Sequence, residues 1–221
     1  MRQNGKILPF LLLLLLLLLF SSGCSKEESS SAIIRAENAV SHGQHPDIAE
    51  LQKSDSGIIA WLYIPGLNIN APIRQEDDSG LFIQTEYNNR DFSDRATLIY
   101  GPVSSDGKLF GSLQHSYSED GSLDHYSEIV VFLPEQTLTY RVFAAGSFDD
   151  RHLMHSYHSL VDIADIQSMI NDIQTYHTMS NQFPQNVELT EHDSVLILSC
   201  HAAQSEDQRF LVLARLVDRT G

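Results

Sequence analysis

Ser194-Val195-Leu196-Ile197-Leu198-Ser199-Cys200 is an apolar, β-prone run that ends on a thiol, and after a polar gap the same pattern resumes at Arg209-Phe210-Leu211-Val212-Leu213-Ala214. Short runs of this kind, bounded by polar turn residues, read as buried strands. Paired antiparallel, the end of the first strand lies beside the start of the second, so thiol and guanidinium share one end of a sheet. A nearby cation favours the thiolate, the reactive form of cysteine. The same guanidinium is suited to stabilising an oxyanion formed when a thiolate attacks a carbonyl. The plain alternatives are a small buried apolar cysteine and an arginine on a solvated strand edge.

Working outward, the pattern from Ile58 onward is mostly β. Strands are predicted at Ile58–Ile64, ended by the turn signal Pro65-Gly66, and at Ile69–Ile73, Leu81–Tyr87 and Ala96–Tyr100. Ile129–Leu133 and Leu138–Phe148 flank Pro134-Glu135-Gln136-Thr137 as a hairpin candidate. One helix interrupts the series: Ile163, Ile166, Ile170 and Ile173 fall on one helical face, with Asp162 or Ser159 as cap. Two short helices are predicted upstream, at Ala32–Val40 and at Pro46–Lys53, with Pro46 in the first turn. About eight short strands with few helices suggest a closed or nearly closed barrel. Composition alone does not separate a barrel from a sandwich.

The N-terminus carries an export signal. Arg2 and Lys6 precede an apolar run from Ile7 to Phe20, shorter than the roughly 20 residues of a membrane span and right for a signal-peptide core. Ser21-Ser22-Gly23-Cys24 follows and resembles a bacterial lipoprotein cleavage site, with Ser21 where such sites usually carry Leu. Cys24 is then the lipidated N-terminus, and diacylglycerol chains supply two-chain anchoring. The alternative is an uncleaved signal anchor. Either way the domain sits outside the membrane. Ser25–Ser31 reads as a polar tether. The expected organisation is a signal peptide at 1–23, a lipidated N-terminus, tether and short helix at 24–45, and the folded domain at 46–221. If Cys24 carries lipid, Cys200 has no disulfide partner, which invites a functional explanation for it.

Of the 221 residues, 42% are hydrophobic, enough for a core, while the formal net charge of −15 argues against a nucleic-acid partner.

Leu198-Ser199-Cys200, with Arg209 opening the next strand, resembles the signature of the sortases: a Thr-Cys ending followed by an Arg-apolar-Val strand. Pro46-Asp47-Ile48-Ala49-Glu50-Leu51 through Ile58-Ile59-Ala60-Trp61-Leu62-Tyr63-Ile64-Pro65-Gly66-Leu67-Asn68-Ile69 resembles the class B entry segment, in which a helix leads into a Gly-Trp-Leu-x-Ile-Pro-Gly-Thr-x-Ile strand. Asn89–Asp94 with Thr97–Gly101, and Asp106–Leu113, resemble the stretches before and after that class's catalytic histidine. The match covers roughly residues 46 to 217 in the right order. It implies an eight-stranded barrel with short N-terminal helices and a longer helix before the last two strands. It further implies a cysteine transpeptidase without cofactor, acting at the extracellular face of the bacterial membrane. Such enzymes cleave a C-terminal sorting motif of a secreted protein, hold it as a thioester and pass it to a peptidoglycan or pilin amine. Cys200 would be the nucleophile and Arg209 the oxyanion stabiliser.

The chain departs from that pattern at one decisive place. The family reads Tyr-Gly-His where this chain has Tyr100-Gly101-Pro102. Proline has no titratable group, and general acid–base help is typically worth about 10² to 10⁴ in rate. The stretch between Ile73 and Leu81 is also shorter than class B enzymes usually carry. Of the ten histidines, His201 adjoins the thiol but should point to the opposite face. His115 and His125 follow Pro102 in a predicted helix and loop. His152, His155 and His158 cluster without the carboxylate or cysteine partners of a zinc site. Two readings follow: an impaired transpeptidase, or a non-catalytic sortase-like lipoprotein that binds a sorting peptide or an envelope partner.

Overall fold

The computed structural model describes residues 28–176, 182–183, 187–203 and 205–221. The signal peptide and the lipidation site at Cys24 expected from the sequence lie outside the described residues. The chain divides into two compact units, with the boundary between Ser56 and Gly57. In the first, helix α1 occupies residues 28–41. Its described part therefore reaches into the stretch Ser25–Ser31 that reads as tether. Helix α2, Ile48–Ser54, is capped by Asp47, whose carboxylate accepts from the Glu50 N–H at 2.8 Å. Pro46 thus precedes the cap rather than opening the first turn. Among the described residues no helix is long and apolar enough to cross a membrane.

The second unit is an eight-stranded closed barrel. Its strands are β1 (Ile58–Ile64), β2 (Ile69–Gln75), β3 (Leu81–Ile83), β4 (Ala96–Tyr100), β5 (Glu128–Phe132), β6 (Thr137–Asp149), β7 (Val195–Ala202) and β8 (Ser205–Thr220). They close in the order β1-β2-β3-β4-β7-β8-β6-β5. The β2–β3 and β4–β7 pairs are parallel, and the others are antiparallel. In this closed order every strand has a neighbour on both sides. The expected third strand is cut short at Ile83, because the chain turns there, with the Tyr87 and Asn88 N–H groups both donating to the Gln84 carbonyl.

Period-2 alternation divides the side chains between two cores. Leu196 and Leu198 of β7, and Phe210, Val212 and Ala214 of β8, fill the barrel interior with Ile99, Phe110 and Leu133. Their neighbours Val195, Ile197, Leu211 and Leu213 face outward into a second core with Ala96, Leu98 and Phe148. Helix α6, Ile163–Thr175, covers that second core with Ile166, Met169, Ile170 and Ile173. Asp162 caps it, accepting from the Asp165 N–H at 3.0 Å. Strands β4 and β7 are covered on both faces, which is why they read as unbroken apolar runs. Among the described residues the unit also holds three short α-helices, α3 (Leu113–Tyr117), α4 (Ser122–His125) and α5 (Leu153–Ser156), and a 3-10 turn at His158–Leu160.

Buried Asn88 ties the start of β4 in place. Its Nδ2 donates to the Ala96 carbonyl at 2.7 Å, and its Oδ1 accepts from the Leu98 N–H at 2.9 Å. Asn88→Ala leaves that buried donor and acceptor unpaired and is expected to cost about 2–4 kcal/mol, read as a lowered urea midpoint. An unchanged midpoint would show that β4 holds without this tie.

Candidate functional site

The site is built where β4, β7 and β8 end together. In the β7–β8 ladder Cys200 lies opposite Phe210, and His201 lies opposite Arg209. Directly opposed residues of an antiparallel pair share a face. Cys200 therefore follows Leu198 and Phe210 into the barrel interior, where it is fully buried and belongs to the inner core. Arg209 follows Leu211 and Leu213 to the outer face. There its Nε donates to Ser199 Oγ at 2.6 Å, and its guanidinium stacks 5.3 Å from the centre of the Tyr100 ring.

This corrects the expectation that the two groups face each other. They share one end of the sheet, as the sequence suggests, but leave it from opposite faces. The cause is a register shift at the hairpin: Ala202 pairs with Ser205, while the next pair is already His201 with Arg209. Without that shift Arg209 would stand opposite Leu198, on the side of the thiol. An odd shift turns every later side chain over.

The electrostatics follow from the placement. Burial is the largest influence on the Cys200 thiol and pushes its pKa up to about 12, and the Arg209 charge opposes this without overcoming it. The thiol is protonated at neutral pH. Its Sγ–H points at the Phe210 carbonyl at 3.9 Å. Burial also lowers the pKa of Arg209. Its π-contact with Tyr100 and its bond from Nε to Ser199 compensate part of that desolvation.

Pro102 follows β4 directly beside the end of β7, since the Gly101 N–H donates to the Ser199 carbonyl at 3.1 Å. The residue at 102 thus sits next to the strand that carries Cys200. Gly101 has no room for a side chain: a Cβ there would lie 2.4 Å from the Phe110 ring and 2.7 Å from Leu81.

The histidines lie as follows. His201 is exposed and shares the face of Arg209, as alternation requires. His115 is exposed on α3 with its Nε2 3.7 Å from Glu119. His125 ends α4, in an edge-on contact with the Tyr126 ring, so the loop expected there is a short helix. His158 sits 3.2 Å from the Asp165 carboxylate. His152 and His155 stack on each other at 4.2 Å and both contact the Tyr87 ring. Among the described residues no three metal-ligating side chains cluster.

The sequence reading missed Ser199, Tyr100 and Tyr87. Ser199 and Tyr100 are paired neighbours in the parallel β4–β7 ladder, a relation that sequence spacing does not carry. An open cavity of about 610 Å³, lined by Leu123, Asp124, Arg141 and Phe143 among others, includes none of the residues around Cys200.

The fold is that of the sortases, of the class B type. The chain is 22% identical over 201 residues to sortase B of Listeria monocytogenes, across 78% of this chain and 75% of that relative. Sortase B from the type II pilus of Streptococcus pneumoniae superposes with a TM-score of 0.63 at 19% identity, covering 77% of this chain and 98% of that one. The sortase B–substrate complex of Staphylococcus aureus gives 0.64 at 17% identity, covering 87% and 94%. No family model matches the sequence.

A protonated, buried thiol is expected to react with iodoacetamide at pH 7.5 more slowly than free cysteine. The rate should rise with pH up to about 12, the raised pKa. Because the folded thiol keeps its proton to higher pH than the unfolded one, its contribution to stability is whole below about pH 9 and declines as pH rises toward 12. Arg209→Ala removes the one charge favouring the thiolate and should slow alkylation further. Alkylation faster than free cysteine would contradict this placement of the sulfur.

Proposed function

We propose that this chain is a class B sortase-type cysteine transpeptidase of the cell envelope, impaired by the proline at position 102. The observation that carries this reading is Cys200 at the end of β7, beside Arg209 on β8, within the class B fold. The Cys200 thiolate attacks the carbonyl carbon of a sorting-motif peptide. The C–N bond breaks, the amine leaves with a proton, and a thioester remains. An acceptor amine then attacks the thioester, the C–S bond breaks, and the sulfur takes back a proton. Arg209 faces away from the sulfur in the closed hairpin, so it can supply positive charge for the oxyanion only once that hairpin end has opened. With Pro102 in place of an imidazole, the proton for the leaving amine has to come from water, at a cost of about 10²–10⁴ in rate. Turnover also requires the end of the β7–β8 hairpin to open, because Cys200 is fully buried.

The relatives named above support the substrate class. One is described as belonging to a pilus, and another as a complex with substrate. For this chain the proposed partners are a secreted protein with a C-terminal sorting motif and a peptidoglycan or pilin amine. The proposed location is the outer face of the cell membrane, with Cys24 as lipid anchor. The same burial of the thiol favours a second reading, a non-catalytic sortase-like lipoprotein that binds a sorting peptide or an envelope partner.

Peptide cleavage separates the two readings. Transpeptidase function predicts slow cleavage of sorting-motif peptides, abolished by Cys200→Ala and raised at least tenfold by Pro102→His. No cleavage by either the native chain or Pro102→His would leave the binding reading. Metabolic labelling with palmitate tests the anchor: label is expected on the native chain and lost in Cys24→Ala. Label retained in that variant would place the lipid elsewhere.

A further inference from the structure

The tip of the β7–β8 hairpin is held shut by contacts from outside its own ladder. Ala202 pairs with Ser205 and His201 with Arg209, so residues 206–208 of β8 have no register partner on β7. The tip is therefore joined to the ladder behind it across a bulge, and it can part while that ladder stays paired. Ala202 is the next β7 residue on the face of Cys200, and both are buried. A closed tip thus keeps solvent from the sulfur.

Two side chains from other elements grip this tip. Gln114 of α3 accepts through its Oε1 from the Ala203 N–H at 2.7 Å. It stands on firm support: Leu113 and Tyr117 of the same helix are fully buried in the inner core that contains Cys200. The Gln114 carbonyl is also tied, accepting from Ser118 Oγ at 2.6 Å. On the other strand, Gln208 Nε2 donates to the Tyr176 hydroxyl at 3.1 Å. Tyr176 follows the last turn of α6, and its ring is fixed edge-on against Phe148 at 5.4 Å.

We propose that the Gln114 side chain latches the β7–β8 tip over Cys200, with the Tyr176 hydroxyl as a second hold, so that the sulfur meets solvent only when these contacts part. Each contact is one hydrogen bond on a firm element, weak enough to break while the barrel stays folded. The ladder from Ser199 with Leu211 to Val195 with Arg215 remains paired in the open form. The proposal deepens the transpeptidase reading, from which it takes the need for an exposed sulfur. It assigns control of that exposure to α3 and the end of α6 rather than to Cys200 and Arg209 themselves.

Alkylation of Cys200 by iodoacetamide at pH 7.5, read on the full chain by peptide mass spectrometry, measures the opening. Gln114→Leu should raise the rate about 3- to 10-fold, the loss of one hydrogen bond. Gln114→Glu keeps an acceptor for the Ala203 N–H and should stay within about twofold of the native chain. Tyr176→Phe keeps the ring against Phe148 and should raise the rate by a factor similar to that of Gln114→Leu. In the double variant the two factors should multiply, because both contacts oppose one opening. The gain should be constant across urea concentrations below the unfolding transition, since local opening exposes little surface. The proposal is overturned if Gln114→Leu or Tyr176→Phe reacts at the native rate, or if Gln114→Glu reacts as fast as Gln114→Leu. It is equally overturned if the gain appears only as urea nears the transition, which marks lost global stability. Alkylation reports exposure whether or not the chain cleaves a peptide, so failure here and failure of the transpeptidase reading are separate results.

Discussion

The arrangement of the site depends on one backbone feature, the register shift where β7 turns into β8. Ala202 pairs with Ser205, and an odd shift on β8 then brings Arg209 opposite His201. From that point the pleat decides everything. Residues in register with Cys200 fill the barrel, and residues in register with Arg209 face the second core under α6. Most of β7 and the Phe210–Ala214 stretch of β8 are buried on both faces, so neither can slip by one residue without exchanging two packed sets of side chains.

Thiol and guanidinium thereby acquire different environments within one short hairpin. Cys200 is surrounded by apolar groups and kept protonated by desolvation, which outweighs the nearby charge. Arg209 is half-buried but well served by the Ser199 hydroxyl and the Tyr100 face. In the resting state the thiol is consequently protonated and shielded from solvent. The protein shares its architecture with class B sortases, and it has Pro102 beside the strand end that carries the thiol. Chemistry at Cys200 then requires both exposure of the sulfur and a proton source other than residue 102.

Much of the fold was legible in the sequence, for identifiable reasons. The bounds of β1 and β4 follow from apolar runs closed by Pro65-Gly66 and by Gly101-Pro102. Helix α6 follows from the spacing of its isoleucines and the Asp162 cap. The third strand was overextended, because Gln84–Tyr87 has strand-like composition but turns to deliver Asn88 to β4. Proximity of Cys200 and Arg209 was legible from the hairpin pattern. Their faces were not, because an odd register shift leaves no mark in composition or spacing. The pairing of Tyr100 with Ser199 comes from a parallel contact between strands far apart in the chain. Local pattern does not encode such a contact.

The most direct measurement is the register itself, from interstrand proton–proton contacts in the labelled protein. The account predicts backbone contacts between Cys200 and Phe210 and between His201 and Arg209. Backbone contacts pairing Arg209 with Leu198 or Cys200 would put the guanidinium on the side of the thiol and contradict it.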